Sequence, residues 1–578
     1  MHQTCSTLDF AALFNCLLLA GCVVATTRPH VVLIVADDLG WNDVSFHGSQ
    51  QIPTPNLDRF GHAGIILNNY YTQHICTPTR SCLMTGRYPI HLGLQHSVIV
   101  GSQPYGLGLN ETILPQYLKS LNYSTHIVGK WHLGFFAKEY TPTYRGFDDH
   151  FGYWLGAEDY WDHTAEGSSI REWGLDFRRN MDVVRDEFGQ YSTELFTREA
   201  ENLIRKHNQS QPMFLYMAHQ AVHSGNHQHP MQVPYKYYER FPHIQDPGRR
   251  KYAGMVSALD ESFGNVTRAL NETGMLNNSI IIFTTDNGGP AAGFDSNHAS
   301  NYPLRGLKAT LWEGGVRGPG FIYSNLLKNS GRTSNQLMHV SDWLPTILSA
   351  IDADIKPNNP DGFDMWPTLN HGLESPRKEI LHNIDPTDNN AAIRVGDYKA
   401  IMGSQSSRNS WYFPEQVSEE LEKMDVHNSH DYSPNFIKQF KMKYDGDYDT
   451  LTLQDIVNHL NKITLKLTQK YPYINKTRDS PMESPFVVNC GPFPSNARTN
   501  CRPGDAPCLF NVKLDPCEYH NLADHEPEVL DLLLFRMSLY SESAVPIRNL
   551  PEDPMGYPKN HDLVWTSWVN LTQAELYP

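Results

Sequence analysis

Basic residues are in deficit in this chain. It carries 47 Lys and Arg against 63 Asp and Glu, a net charge of −16 over 578 residues. Non-specific nucleic-acid binding runs on surplus Lys and Arg, so this balance argues against such a partner. Charged residues make up only 19% of the chain and hydrophobic ones 40%. That excludes a disordered tail protein. Cysteine is sparse, nine in the whole chain, which excludes a small disulfide scaffold. The length instead suggests about two or three domains with large cores. Beyond the N-terminus no run is long and apolar enough to span a membrane. Histidine, by contrast, is plentiful. The 27 imidazoles counted as neutral would, on protonation near pH ~5–6, carry the net charge toward or past zero, which is compatible with an acidic compartment.

Residues Ala11–Ala25, AALFNCLLLAGCVVA, read as a signal peptide over 1–25, with Val23-x-Ala25 as the cleavage site. Eight Asn-x-Ser/Thr sequons point the same way: Asn110, Asn122, Asn208, Asn265, Asn271, Asn277, Asn475 and Asn570. The expected route is secretory, with a lysosomal or extracellular destination. Cys5, Cys16 and Cys22 would leave with the signal. Cys490, Cys501, Cys508 and Cys517 are close enough to form two disulfides, in any of three connectivities. Cys76 and Cys82 flank Pro78 and suit a helix start better than a staple.

From His30 to about Leu381 the chain repeats a β-branched run, a polar cluster and a helical stretch. This alternation predicts an α/β fold with a mostly parallel sheet. Such sheets bind ligands at the carboxyl ends of their strands, so the residues after each run matter most. VVLIVA ends in Asp37 and Asp38; THIVGKWH ends in Lys130 and His132. MFLYMAHQAVH ends in His219 and His223; SIIIFTTDNGG ends in Asp286 and Asn287. An Asp after a strand is ordinarily a turn former or helix cap. Four clusters on one sheet edge ask for more. Asp37, Asp38, Asp286 and Asn287 form an oxygen-only ligand set, and three adjacent carboxylates repel unless a cation joins them. Hard oxygen donors favour Ca²⁺ or Mg²⁺ over Zn²⁺. Lys130, His132, His223 and Lys308 add positive charge, and a metal plus cations describes a site for a tetrahedral oxyanion.

The segment CTPTRSCLMTGRYPIHLG begins at Cys76. Pro78 is tolerated in a first helical turn and Gly86 closes a short helix. Residue 76 then sits at a helix N-terminus, where free N–H groups favour an anion, and Arg80 reaches the same point one turn on. By itself this predicts either a low-pKa nucleophilic cysteine or a buried structural one.

Cys-x-Pro-x-Arg followed by Gly86-Arg87 resembles the sulfatase signature. ADDLGWNDVSFHG, NYYTQHICTPTR, VGKWHLG, RGFDDHFGY, TTDNGG, LRGLKATLWEGGVRG and SDWLPTIL together resemble arylsulfatase B-type sulfatases, those that act on N-acetylgalactosamine 4-sulfate, over most of residues 30–385. IRVGDYKAIMG and LFNVKLDPCEYHNLA are similar to strands of that family's smaller domain. The resemblance implies an alkaline-phosphatase-like fold: a mostly parallel central sheet flanked by helices, and a smaller C-terminal α+β domain with an antiparallel sheet. The expected divisions are a catalytic domain over 26–385 and a smaller domain over 386–578, with a poorly matched insertion at about 404–507. The resemblance further implies that Cys76 is converted to Cα-formylglycine by a formylglycine-generating enzyme. One Ca²⁺ would then be held by Asp37, Asp38, Asp286, Asn287 and residue 76. Arg80, Lys130, His132 and Lys308 would surround residue 76 and the sulfate oxygens, and His223 would donate a proton to the departing alcohol. The aldehyde hydrate attacks sulfur in this family, and its second hydroxyl later expels sulfate.

The expected substrate is a sulfated carbohydrate or an aryl sulfate, with plant thioglucoside sulfates (glucosinolates) as an alternative. Two other readings compete. A phosphatase on the related fold would use Ser or Thr and two transition-metal ions, unlike Cys76 and a single hard-metal set. A catalytically inactive glycan-binding protein would not need every one of these positions filled. SGNHQHPMQVP, after His223, is longer than the family pattern, and its His227 and His229 either touch substrate or face solvent.

Overall fold

The computed structural model describes residues 28–167, 169, 171–405, 410–412, 452–470 and 487–572. The expected signal peptide, Cys5, Cys16, Cys22, the Asn475 sequon and much of the expected insertion lie outside these residues.

Four aliphatic runs form the centre of a ten-stranded sheet. Ser279–Thr285, His30–Ala36, Met213–Ala218 and Ser124–Lys130 lie side by side, all parallel. The first three are buried along their whole length, as expected of parallel strands covered on both faces. Successive side chains point to opposite faces. Val31, Leu33 and Val35 therefore enter one core with Leu83, Leu118, Trp343 and Ile347. Val32, Ile34 and Ala36 enter the other with Phe196, Tyr252, Val256 and Phe263. The helices Cys76–Thr85, Leu114–Ser120 and Trp343–Ala350 cover the first face. Ser192–Lys206 and Pro247–Glu272 cover the second. The parallel run continues through Asp149–Tyr153, beside Ser124–Lys130. Antiparallel strands finish both ends, among them Gly320–Tyr323 and Arg178–Arg179.

A second sheet is wholly antiparallel: Glu379–Asp385, Asn390–Val395, Tyr398–Gly403 and Cys508–Asn511. Its last two strands are neighbours, so residues 404–507 are an excursion between two adjacent strands of one sheet. One face packs on the helices Leu453–Lys470 and Pro527–Ser543 through Val395, Ala400, Ile456, Leu460 and Leu533. The other meets the large sheet's body through Ile380, Ile401 and Phe510 against Tyr71, Trp312 and Val316. Of the three open connectivities the structure adopts Cys490–Cys517 and Cys501–Cys508. Cys76 and Cys82 are free and buried. Among the described residues no helix is long and apolar enough to cross a membrane.

Candidate active site

The four strand ends converge as the parallel pairing dictates. Asp286 N donates to Ala36 O at 3.1 Å and Asp37 N to Ala221 O at 3.0 Å, tying three loops together. Asp38 takes a left-handed φ of 60°. Its N–H donates to Asp286 Oδ1 at 3.2 Å, and Asn287 Nδ2 donates to its Oδ1 at 2.6 Å.

Cys76 opens the helix Cys76–Thr85, every residue of which is buried. Gly86 ends it with a left-handed φ of 69° and an N–H donated to Cys82 O. The helix aims its first turn at the acidic strand ends, and Cys76 Sγ stands 3.8 Å from Asp37 Oδ1. Burial pushes the Cys76 thiol well above its ordinary range, against the pull of Lys130 and Lys308. Cys76 is thus a buried cysteine whose neighbours pull both ways, the lysines lowering its pKa and Asp286 and Asp37 raising it.

Three fixed cations meet the carboxylates. Arg80 Nη2 donates to Asp286 Oδ2 at 2.9 Å and lies 3.5 Å from Asp37 Oδ2. Lys130 Nζ donates to Asp37 Oδ2 at 2.6 Å. Lys308 Nζ donates to Asp38 Oδ2 at 2.8 Å and to Asp295 Oδ2 at 2.9 Å. His223 Nε2 is 3.1 Å from Lys308 Nζ, and 3.4 and 3.5 Å from the Asp38 and Asp295 oxygens. Burial and Lys308 oppose the charged ring, but Asp38, Asp37 and Asp295 outweigh them and the His223 pKa is raised.

His132 departs from expectation in one respect. It lines the cleft at Cys76, yet burial, Lys130 and Arg80 push its pKa well below the ordinary value. Its Nε2 meets the Ile99 carbonyl at 3.0 Å, which requires a proton on that nitrogen. Nδ1 has no partner among the described residues. His132 is thus a neutral acceptor rather than one more cation. His219, from the same run as His223, serves the fold: it is fully buried and its Nε2 bonds Ser262 Oγ at 3.2 Å.

The oxygen-rich strand ends suit a hard divalent ion. Among the described residues Asn287 Oδ1 is buried without a partner, as a ligand oxygen would be. Ligand atoms of Asp37, Asp38, Cys76 and His223 lie within 4.8 Å of one another. Asp286 stands just behind this group, turned onto Arg80. Four carboxylates (Asp37, Asp38, Asp286, Asp295) face three permanent cations. A divalent ion would add two positive charges to this edge, the sign needed to attract an anionic ester.

Residue 76 opens into a cleft of about 310 Å³ that His132, His223, Asp295 and Lys308 also line. Sequence reasoning missed Asp295, which sits in a GFDSN stretch indistinguishable from an ordinary turn. It also missed Glu166 and Glu552, which reach the cleft from a short hairpin and from the C-terminal segment. His227 lines the cleft and pairs with Glu166 at 3.0 Å, whereas His229 is exposed outside it.

A family model described as Sulfatase matches residues 29–353. Mouse arylsulfatase J is 40% identical over 550 residues, 94% of this chain and 81% of that protein. Mouse N-acetylgalactosamine-6-sulfatase is 30% identical over 415 residues, 68% of this chain and 75% of its own. Among solved structures, the crystal structure of Ps i-CgsB superposes with a TM-score of 0.65 at 25% identity, covering 90% of this chain and 94% of that one.

Proposed function

The chain belongs to the sulfatase family of hydrolases, and from that premise we propose that it cleaves a sulfate ester through a formylglycine at position 76 and one Ca²⁺. The observation that carries this reading is the seat of Cys76. It is buried at a helix N-terminus, 3.8 Å from Asp37, amid Arg80, Lys130 and Lys308.

Asp37, Asp38, Asp286, Asn287 and residue 76 would hold the calcium ion, which when bound supplies positive charge to the sulfate oxygens and acidity to a hydroxyl at residue 76. Oxidation of Cys76 by a formylglycine-generating enzyme would supply two hydroxyls on hydration, one to bond sulfur and one to expel sulfate afterwards. Lys308, which lines the cleft, fixes the ester's charged end, while Lys130 holds Asp37 from behind. Arg80 holds Asp286 and Asp37 in place. His132 lines the same cleft, and its Nδ1, unpartnered among the described residues, is available to accept a hydrogen bond from the hydrated residue 76 or the ester. His223, whose pKa the carboxylates raise, gives its proton to the departing oxygen.

The proposed substrate is a sulfated sugar of the N-acetylgalactosamine type or an aryl sulfate. The relatives' names support this, spanning an arylsulfatase and N-acetylgalactosamine-6-sulfatases, while the motifs resemble the 4-sulfate-specific type. The two disulfides, the sequons and the N-terminal apolar run support a secretory route. The test is twofold. Mass spectrometry of the peptide spanning residue 76 should show aldehyde in place of thiol. Turnover should then be measured on 4-nitrophenyl sulfate, sulfated N-acetylgalactosamine and a glucosinolate. An intact thiol in a fully active enzyme would overturn the formylglycine reading.

A further inference from the structure

We propose that Glu166 and His227 form the leaving-group subsite of the cleft, and that its carboxylate-lined mouth selects sulfate esters of uncharged, hydroxyl-rich rings over esters bearing a second anion. The inference rests on the sulfate-ester reading and names its substrate class.

The cleft is electrically polarised. Among the described residues that line it, Lys308 is the only Lys or Arg, and it belongs to the Cys76 end, on Asp38 and Asp295. Away from that end the lining carries Glu158, Asp159, Glu166 and Glu552. Three of these four come from residues 158–166 and the fourth from the C-terminal segment, and each is held in place. Glu158 accepts from Ser192 Oγ at 2.8 Å and lies 3.4 Å from His163 Nδ1. Glu166 ends the strand Thr164–Glu166, paired with Trp173–Leu175. Glu552 accepts from Ser169 N at 2.8 Å and Ser102 Oγ at 3.0 Å. Asp159 accepts from Gln232 Nε2 at 2.6 Å and from the Asn226 side-chain amide. Neutral donors hold Asp159 and Glu552, and among the described residues neither is paired with a Lys or Arg. Glu166 lies 3.4 Å from the Arg171 guanidinium and 3.0 Å from His227 Nδ1.

The loop that brings His227 is itself fixed. Gly225 N donates to Pro230 O at 2.8 Å and His229 N to Asn226 Oδ1 at 2.7 Å. Asn226 and Gln232 then fasten both ends of the loop to Asp159. The result is a largely exposed imidazole at the cleft lining with Nδ1 3.0 Å from Glu166. A carboxylate beside an imidazole offers an acceptor and a second polar nitrogen, the pair that neighbouring hydroxyls on a ring can satisfy together. A uronate or second sulfate brought here would face like charge in a partly desolvated cleft, which costs affinity. At about 310 Å³ the cleft is at the small end for ligand sites, sized for one ring and its sulfate.

Wild-type enzyme should be assayed on three esters: sulfated N-acetylgalactosamine, the same residue joined to a uronate, and the same residue joined to a neutral sugar. kcat/KM for the uronate-bearing ester should fall about tenfold or more below that for the size-matched neutral one, the scale of one lost charged contact. Glu552→Gln should narrow that gap. Glu166→Gln and His227→Ala should each lower kcat/KM for the neutral sugar ester by about tenfold relative to 4-nitrophenyl sulfate, and His227→Gln should recover part of it. A wild-type preference for the uronate ester, or ratios unmoved in folded variants, overturns the subsite. Inertness of the wild type toward all these esters and 4-nitrophenyl sulfate alike overturns the hydrolase reading, and the subsite with it.

Discussion

Lys308 Nζ and His223 Nε2 face each other across 3.1 Å and share the same two carboxylates, Asp38 and Asp295. Two basic groups this close would repel if both were charged. The shared carboxylates offset that repulsion and raise both pKa values.

His223→Ala should therefore lose activity in proportion to how poor the leaving group is. General acid catalysis is worth about 10²–10⁴-fold, and a sugar alkoxide needs it where a nitrophenolate does not. The expected result is a large loss of kcat on a sugar sulfate and a small one on 4-nitrophenyl sulfate. The sign of the pH effect follows from the raised pKa: the donor is charged below it and is lost as pH rises through it. The wild-type alkaline limb on the sugar ester should be missing in the variant. Equal losses on both substrates would assign His223 to sulfate binding.

Asp286→Ala removes one of three strand-end carboxylates and leaves Arg80 with only Asp37, at 3.5 Å. Activity should nearly vanish, and added Ca²⁺ should restore part of it, because fewer ligand charges weaken metal affinity. In the wild type, Ca²⁺ should raise the thermal midpoint and exhaustive chelation should lower it, by mass action on the folded state. Full activity after chelation would remove the metal from the mechanism.

Cys76→Ser should accept sulfate once and keep it. One hydroxyl can attack sulfur, but no second hydroxyl remains to expel the product. A stoichiometric burst on 4-nitrophenyl sulfate, with the serine peptide gaining the mass of one sulfate group, is expected. Sustained turnover by a verified, unmodified serine would exclude the hydrate mechanism.

Stability should carry a signature of Asp260. This residue of the long helix accepts from the Asn56 and Leu57 backbone N–H groups at 3.0 and 2.8 Å, anchoring the helix Pro55–Ala63. Burial raises its pKa to about 6, against the bonds from Leu57 and Asn56. A folded-state pKa above the unfolded one gives stability that is complete below pH ~4 and lost as pH rises through about 6. Asp260→Asn mimics the protonated form, so its thermal midpoint should gain on the wild type between pH 5 and pH 7. A difference that does not change over that interval would show that Asp260 stays ionised in the fold.

The sequence by itself determined the sheet's central strands, the helix that opens at Cys76 and the residues gathered on one edge. Those features are written in short-range terms: unbroken apolar runs for doubly covered strands, Pro78 and Gly86 for the ends of a helix, and polar clusters where the runs stop. Once the strands are parallel neighbours, Asp37, Lys130, His223 and Asp286 must meet. Other features depend on residues far apart in the chain, and only the tertiary structure decided them. Asp295 becomes a partner of His223 and Lys308 because a turn folds back over them. His132 is a neutral acceptor because burial and two neighbouring cations suppress its charge, which the motif VGKWHLG cannot reveal. Glu552 reaches the cleft only because the C-terminal segment returns across the large domain, where Trp565 Nε1 donates to Ala165 O at 3.0 Å and Arg178 donates to the Trp565 carbonyl. Local patterns record which backbone each residue prefers. Charge state and cleft lining depend on what packs against a residue from elsewhere in the fold.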